Sequence, residues 1–360
     1  MDLADERPLV ALTMGDVAGV GPEIIARAWG ESPLRTLARP FVVGSRSVLK
    51  RALECVGATA KVQEIVRPED ADPSALQIPC LEATAQDLTG IEPGRIDPRA
   101  GRAAYDFVTA AADLALAGRI DALTTLPLNK EALRAGGIRH PGHTEILAER
   151  SGVTDQAMML YVGPPTSASD AGLGVLHATL HMPLRRIFEV LTVPAIAAKI
   201  VLADRALRPL TGGRSPRVAV AGINPHAGEG GLFGDEEIEI IAPAVARAQA
   251  AGITVEGPFA ADTLFQRALA GEFDAVVAMY HDQGHVALKT FAFDNAVNVT
   301  LGPPFVRTSV AHGTAYDIAW TGRARTSSLV EAVRVAARLV LGRRRLGLPL
   351  GITSENPARP

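Results

Sequence analysis

The chain has 360 residues, 48% apolar and 21% charged, with a net charge of −3. That composition suits one large α/β unit or two domains and gives no general electrostatic reason to bind nucleic acid or anionic lipid. Only two cysteines (Cys55 and Cys80), an acidic N-terminus without an apolar leader, and no apolar stretch long enough to cross a bilayer point to the cytoplasm.

Continuous apolar runs predict buried strands at 8–14, 40–44, 121–127, 158–163, 173–180, 217–223 and 274–280. Helical length and composition mark 99–117, 183–203, 235–251 and 327–341. Alternation of this kind predicts an α/β fold with a mostly parallel sheet. The first strand runs into MGDVAGVGPE (14–23), a Gly-rich strand-to-helix turn with Pro22 in the first helical turn. No Walker lysine follows, which disfavours a nucleoside triphosphatase. GPPTSASDAG (163–172) reads as a surface turn, and the basic, Pro-rich tail 343–360 as loosely held.

All eight histidines lie between His140 and His312. His181, His226 and His281 each follow a predicted strand, where open α/β sheets place their ligands. One such histidine is usually a satisfied, half-buried residue. Three at equivalent positions point to a metal with open coordination sites. His177 lies on the same strand face as His181 and suits a packed or supporting role or a further ligand, while His285 suits either a supporting role or the surface.

Two other groups carry alternatives. In PGHTEI (141–146), Thr144 suits a helix N-cap, and His143 with Thr144 also suits anion binding at that helix N-terminus. Lys289, Asn298 and Arg307 are either scattered solvated residues or a phosphate or carboxylate cradle. Spacing does not choose between these readings.

MGDVAGVGPE, PGHTE, NPHAGEGG (224–231), ADTLF (261–265), MYHDQGH (279–285), VNVTLG (297–302) and RTSVAHGTAYDIA (307–319) occur in one order along the chain. Together they resemble the 4-hydroxythreonine-4-phosphate dehydrogenases of pyridoxal phosphate biosynthesis and their relatives acting on four-carbon sugar acid phosphates. The resemblance runs from about residue 8 to 342. It implies two α/β/α domains flanking a cleft, as in isocitrate and isopropylmalate dehydrogenases. The cofactor-side domain would comprise 1–140 with 300–342, and the metal, substrate and dimer domain 141–299, with 343–360 a tail.

The resemblance also implies a homodimer whose active site lies at the interface, with a divalent metal (zinc, magnesium, manganese or cobalt) held by His181, His226 and His281. Substrate contacts fall on His143, Thr144, Lys289, Asn298 and Arg307. Cofactor contacts fall on Gly15, Asp16, His312 and Asp317, where Asp317 on the ribose hydroxyls favours NAD over NADP. Val17, Ala311 and Trp320 depart from the usual proline, acid and glycine. The implied reaction is NAD-dependent oxidation of the secondary hydroxyl of 4-phosphohydroxy-L-threonine to a β-keto acid that decarboxylates to 3-amino-2-oxopropyl phosphate. Lys289 would serve as acid/base, and Asp282 and Gln283 would orient a metal ligand. The same chemistry on D-threonate or D-erythronate 4-phosphate is the alternative, since the second histidine of HDQGH is commoner in that branch. A metal-dependent hydrolase or lyase, or a binding protein without turnover, are further alternatives, and NAD binding separates a hydrolase from the dehydrogenase reading.

Overall fold

A computed structural model describes residues 6–31, 33–153 and 156–353. The readings of the first five residues and of the tail beyond 353 lie outside the described residues. The described residues form twelve strands: β1 (Leu9–Thr13), β2 (Arg39–Gly44), β3 (Lys61–Ile65), β4 (Gln77–Glu82), β5 (Ala122–Thr125), β6 (Ala157–Val162), β7 (Leu173–His177), β8 (Val218–Ala221), β9 (Val255–Phe259), β10 (Ala275–Ala278), β11 (Val297–Leu301) and β12 (Val306–Val310). The chain divides into two compact units, 1–156 with 303–341 and 157–302 with 342–360.

In the first unit the strand order is β3-β4-β2-β1-β5-β12, and every pairing is parallel. Strands β1, β5 and β12 are buried along their whole length, which is why β1 and β5 read as unbroken apolar runs. Helix Pro98–Leu116 covers this sheet. Asp97 caps it by accepting from the Arg99 amide, and Pro98 occupies the first turn, where a missing N–H costs nothing. Its alanines pack against Ala11, Phe41, Val43 and Leu123. A Cβ at Gly101 would come within 1.9 Å of the Ala132 carbonyl, so glycine lets the helix Lys130–Ala135 lie against this one.

In the second unit the order is β11-β6-β7-β10-β8-β9. Strand β6 runs antiparallel to both β11 and β7, and the other pairings are parallel. The expected α/β class with a mostly parallel sheet is therefore borne out in both units. Three helix expectations are refined. The stretch 183–203 breaks at Thr192, whose hydroxyl accepts from the Ala195 amide and starts a new helix, Val193–Leu207, with Pro194 in its first turn. The stretch 235–251 opens with a π-turn, Glu237–Ile241, before Ala242–Ala250; Pro243 cannot donate to the carbonyl four residues back, which suits a widened turn there. The helix expected at 327–341 extends to Arg345.

The start of the tail is also not loose. The Arg343 guanidinium donates to the carbonyls of Pro349 and Gly351, the Gly302 amide donates to the Ile352 carbonyl, and Ile352 is buried.

Two buried contacts fix the second unit. Asp274, fully buried just before β10, accepts from Ser169 Oγ, from the Arg217 amide and from the guanidinium groups of Arg214 and Arg217. Burial pushes its carboxyl up, and these donors outweigh burial, holding it well below the usual carboxylate range. Helix His281–Ala292 crosses β7 with Gly284 at the contact. A Cβ there would sit 2.4 Å from His177 Nε2 and 2.8 Å from Val175 Cγ1.

Asp274→Ala is expected to lower stability by about 3 kcal/mol at neutral pH, measured by urea unfolding, because it removes the partner of two guanidinium groups. The Asp274 pKa is lower folded than unfolded. Its contribution is therefore complete above the unfolded value of about 4 and falls away as the pH drops below it, so the gap between wild type and variant should narrow in acid. Gly284→Ala should cost about 1–3 kcal/mol by overpacking in the same assay.

Candidate active site

The residues of HDQGH pair with one another and with neighbours in the second unit. Tyr280 is the extended N-cap residue, and His281 opens the helix. His281 Nδ1 pairs with Asp282 Oδ1 at 2.6 Å, which leaves Nε2 as the donor atom for a ligand. Gln283 accepts from the Met279 amide (2.7 Å) and donates to the Gly222 carbonyl (2.8 Å), joining the ends of β10 and β8. Gly284 admits His177, and His285 Nδ1 lies 3.1 Å from His177 Nε2. Burial, reinforced by the neighbouring imidazoles, lowers His177 to about 3 and His285 to about 4, so both are neutral at physiological pH. The helix itself went unread because its first turn is polar and contains glycine.

His181 and His281 face each other with ring centroids 5.6 Å apart. They line a cavity of about 380 Å³ with Leu180, Met182, Leu184, Ile187, Tyr280 and Asp282. His281, His285 and Lys289 follow at i, i+4 and i+8 along one helix face. His226 lies elsewhere: exposed, with Nδ1 3.1 Å from Glu229 Oε1. Among the described residues of the single chain, no three histidine, cysteine or acidic side chains gather to hold a metal ion. The pair His181 and His281 offers two imidazole donors, and the third histidine does not join them within one copy.

The turn carrying His226 is unusual. His226, Ala227, Gly228, Glu229 and Gly230 all have left-handed backbone, with φ of 52°, 55°, 81°, 44° and 67°. Three of them bear side chains, a cost of about 3–6 kcal/mol in total. Glu237, nearly buried, accepts from the amides of Ile223 and Asn224 and from Asn224 Nδ2 at 2.7–2.9 Å. Burial pushes its carboxyl up, but those donors prevail and leave it below the ordinary value.

The other expected substrate residues divide between the units. In the first, helix His143–Ser151 begins at His143 with Gly142 as N-cap. Thr144 is therefore an exposed residue of the first turn and not the cap. His143 is hydrogen-bonded to the Leu126 backbone, and burial followed by the Arg307 charge holds it well below its usual pKa. Its Nε2 is buried with no partner, a vacant acceptor. Arg307, 5% exposed on β12, donates to Thr125 Oγ1 at 2.6 Å, and burial lowers it to about 10, so it stays cationic. In the second unit, Asn298 Oδ1 on β11 is likewise buried without a partner, and Lys289 is half-buried.

The expected cofactor residues all lie in the first unit. Gly15 has φ +70°, and a Cβ there would meet the Pro127 carbonyl at 2.3 Å. Asp16 is fully buried, accepting from Tyr316 Oη at 2.6 Å and from the Ala18 amide, so its oxygens are engaged internally. Burial raises its pKa, and those two hydrogen bonds oppose the shift. His312 Nδ1 meets the Gly313 carbonyl, and Asp317 is exposed. Trp320 has φ +61°, which explains a preference for glycine at its position. Its Nε1 donates to the Val17 carbonyl, and the Arg51 guanidinium stacks 3.8 Å over its ring. Glu23 and Arg27 add bonds to the Ala324 amide and the Gly322 carbonyl. The sequence reading gave Gln283 an orienting role but did not find Tyr316 or Glu237 in theirs, although Tyr316 lies within RTSVAHGTAYDIA.

Residues 36–336 match the family described as "Pyridoxal phosphate biosynthetic protein PdxA". The chain is 43% identical to the 4-hydroxythreonine-4-phosphate dehydrogenase of Desulforapulum autotrophicum, over 93% of this chain and 96% of that one. It is also 43% identical to the D-threonate 4-phosphate dehydrogenase of Pectobacterium atrosepticum, over 92% and 99%. A crystal structure of 4-hydroxythreonine-4-phosphate dehydrogenase from Klebsiella pneumoniae superposes with a TM-score of 0.81 at 43% identity, covering 92% of this chain and 99% of that one. The family match covers most of the chain and the relatives cover more than nine-tenths of it, so the chain belongs to the pyridoxal phosphate biosynthetic protein PdxA family.

Proposed function

We propose that this dehydrogenase oxidises the secondary hydroxyl of 4-phosphohydroxy-L-threonine with NAD, giving a β-keto acid that loses carbon dioxide to form 3-amino-2-oxopropyl phosphate. The observation that carries the reading is the pairing of Arg307 with His143: a buried, permanent cation beside a neutral imidazole whose Nε2 is a vacant acceptor. Such a pair suits a phosphorylated ligand that also bears a proton donor. Thr144 offers an exposed hydroxyl beside His143 in the same unit, and in the second unit Asn298 has a vacant oxygen of its own.

His181 and His281 would hold a divalent metal (zinc, magnesium, manganese or cobalt), with His226 of a second copy completing the set. The donor chemistry fits, since both rings border one cavity and Asp282 occupies His281 Nδ1. Exposed apolar side chains support a homodimer: Met182, Leu184 and Phe188 follow His181, and Leu232, Phe233 and Ile238 follow His226. The metal would lower the pKa of the substrate hydroxyl, and NAD would accept the hydride. Lys289, in line with His281 and His285, takes the hydroxyl proton, while Asp282 acts by fixing the His281 ring. For the cofactor, Asp317 is the free carboxylate for the ribose hydroxyls, and Gly15, Asp16 and His312 shape the surrounding backbone. Asp317 on the ribose favours NAD, and NADP is the cofactor if that contact is not made.

A second reading takes D-threonate or D-erythronate 4-phosphate as substrate. It is favoured by His285, the second histidine of HDQGH, and by the similarity to the Pectobacterium enzyme. A cytoplasmic setting is part of the proposal; among the described residues no helix is long and apolar enough to cross a membrane.

Formation of NADH with each substrate, with and without chelator, separates the readings. Chelator-sensitive turnover of the amino acid is expected. Turnover of the sugar acids alone selects the second reading, and turnover of neither overturns both. His281→Ala should lower kcat/KM by about 10–100-fold or more. Arg307→Ala should act mainly on substrate binding, raising KM by about 10–100-fold through loss of charged hydrogen bonds; an unchanged KM would remove the phosphate role.

A further inference from the structure

The five-residue left-handed turn at His226–Gly230 needs an external hold, because three of its residues carry side chains that disfavour this backbone. Side chains of Glu236, Glu237 and Gln283 reach the turn at its base, Glu236 by accepting from Asn224 Nδ2 at 2.6 Å. Glu237 Oε1 accepts from the amides of Ile223 and Asn224 at 2.7 and 2.8 Å, and its Oε2 accepts from Asn224 Nδ2 at 2.9 Å. A Cβ at Gly228 would come within 2.8 Å of Glu237 Oε2, so the carboxylate also fits against the crest of the turn. Gln283 secures the preceding residue through the Gly222 carbonyl, and does so from the helix that begins with His281.

We propose that Glu237 is a positioning residue for metal binding: it keeps the turn left-handed and thereby presents His226 in the one orientation that can complete the histidine set. The proposal rests on the metal reading of His181, His226 and His281 given above. A buried carboxylate collecting three N–H groups from the two residues before a strained turn has a local task beyond filling space, since an apolar side chain would leave those donors unpaired. The carboxylate does not touch His226. It acts through the backbone of Ile223 and Asn224.

The test uses the full-length protein, with Co²⁺ as probe, its affinity measured by chelator competition and its ligand set by visible absorption. Glu237→Ala should weaken Co²⁺ binding at least tenfold and alter the spectrum. Glu237→Asp keeps the charge, draws the carboxylate back by one methylene, and should show the same loss if the alanine variant does not fold. Ala227→Gly relieves one left-handed side chain, so adding it to either variant should recover a substantial part of the affinity. A purely structural Glu237 would lower the thermal midpoint while leaving the affinity and spectrum of the folded protein unchanged, and that result overturns the proposal. His226→Ala separates the two layers of argument. If it binds Co²⁺ like wild type, or if wild type binds none, the metal reading itself fails; if it loses affinity while both Glu237 variants bind normally, only the positioning role fails.

Discussion

The side-chain amide of Gln283 holds together what the rest of the second unit is arranged around. Parallel strands end in loops with no ladder to fix them, so the geometry at a carboxyl edge depends on side chains that cross between strand ends. Gln283 makes that crossing with both ends of one amide, accepting at Met279 and donating at Gly222. It thereby couples the start of helix His281–Ala292 to the base of the turn that carries His226. A charged group in its place could satisfy only one of the two bonds, because the site needs an acceptor and a donor side by side.

Around that amide, small residues set distances and large ones set protonation. Gly284 lets the helix pass close over β7, and this brings His177 and His285 into a buried pair held neutral by desolvation. In the first unit the same logic operates with a different outcome. Burial keeps His143 neutral, while Arg307, in the same surroundings, has an intrinsic pKa high enough to remain charged. A neutral acceptor and a cation are thus maintained in one buried environment.

Much of this was legible in the sequence, for identifiable reasons. Strands buried on both faces, such as β1, β5 and β10, announce themselves as apolar runs, and the histidines stand out where those runs stop. Strands β3, β4, β9, β11 and β12 went unread because they carry polar residues or proline: β3 is Lys61–Ile65 with only Ile65 buried, β4 is Gln77–Glu82 with Pro79 inside it, and β12 buries Arg307, Thr308 and Ser309. Asp16 looked like a ligand contact in a Gly-rich turn, yet its partners are Ala18 and Tyr316, the latter 300 residues away. Glu237 could not be read at all. Its task exists only because the backbone before it is left-handed, and nothing in NPHAGEGG beyond its glycines declares that three side-chain-bearing residues share the conformation.

The pairing of β5 with β12 bears on how the chain is made. Thr124 and Thr308 share a hydrogen bond across those strands although 184 residues separate them. During synthesis the edge of β5 therefore stays open while residues 157–302 of the second unit emerge, and loop closure over that distance delays its completion. An apolar strand edge waiting that long is a natural docking point for a chaperone or for the wrong strand of a neighbouring chain. The second unit, assembled almost entirely from contiguous sequence, has no such wait. Its histidines can take up their places before the Asp16–Tyr316 contact of the first unit can form.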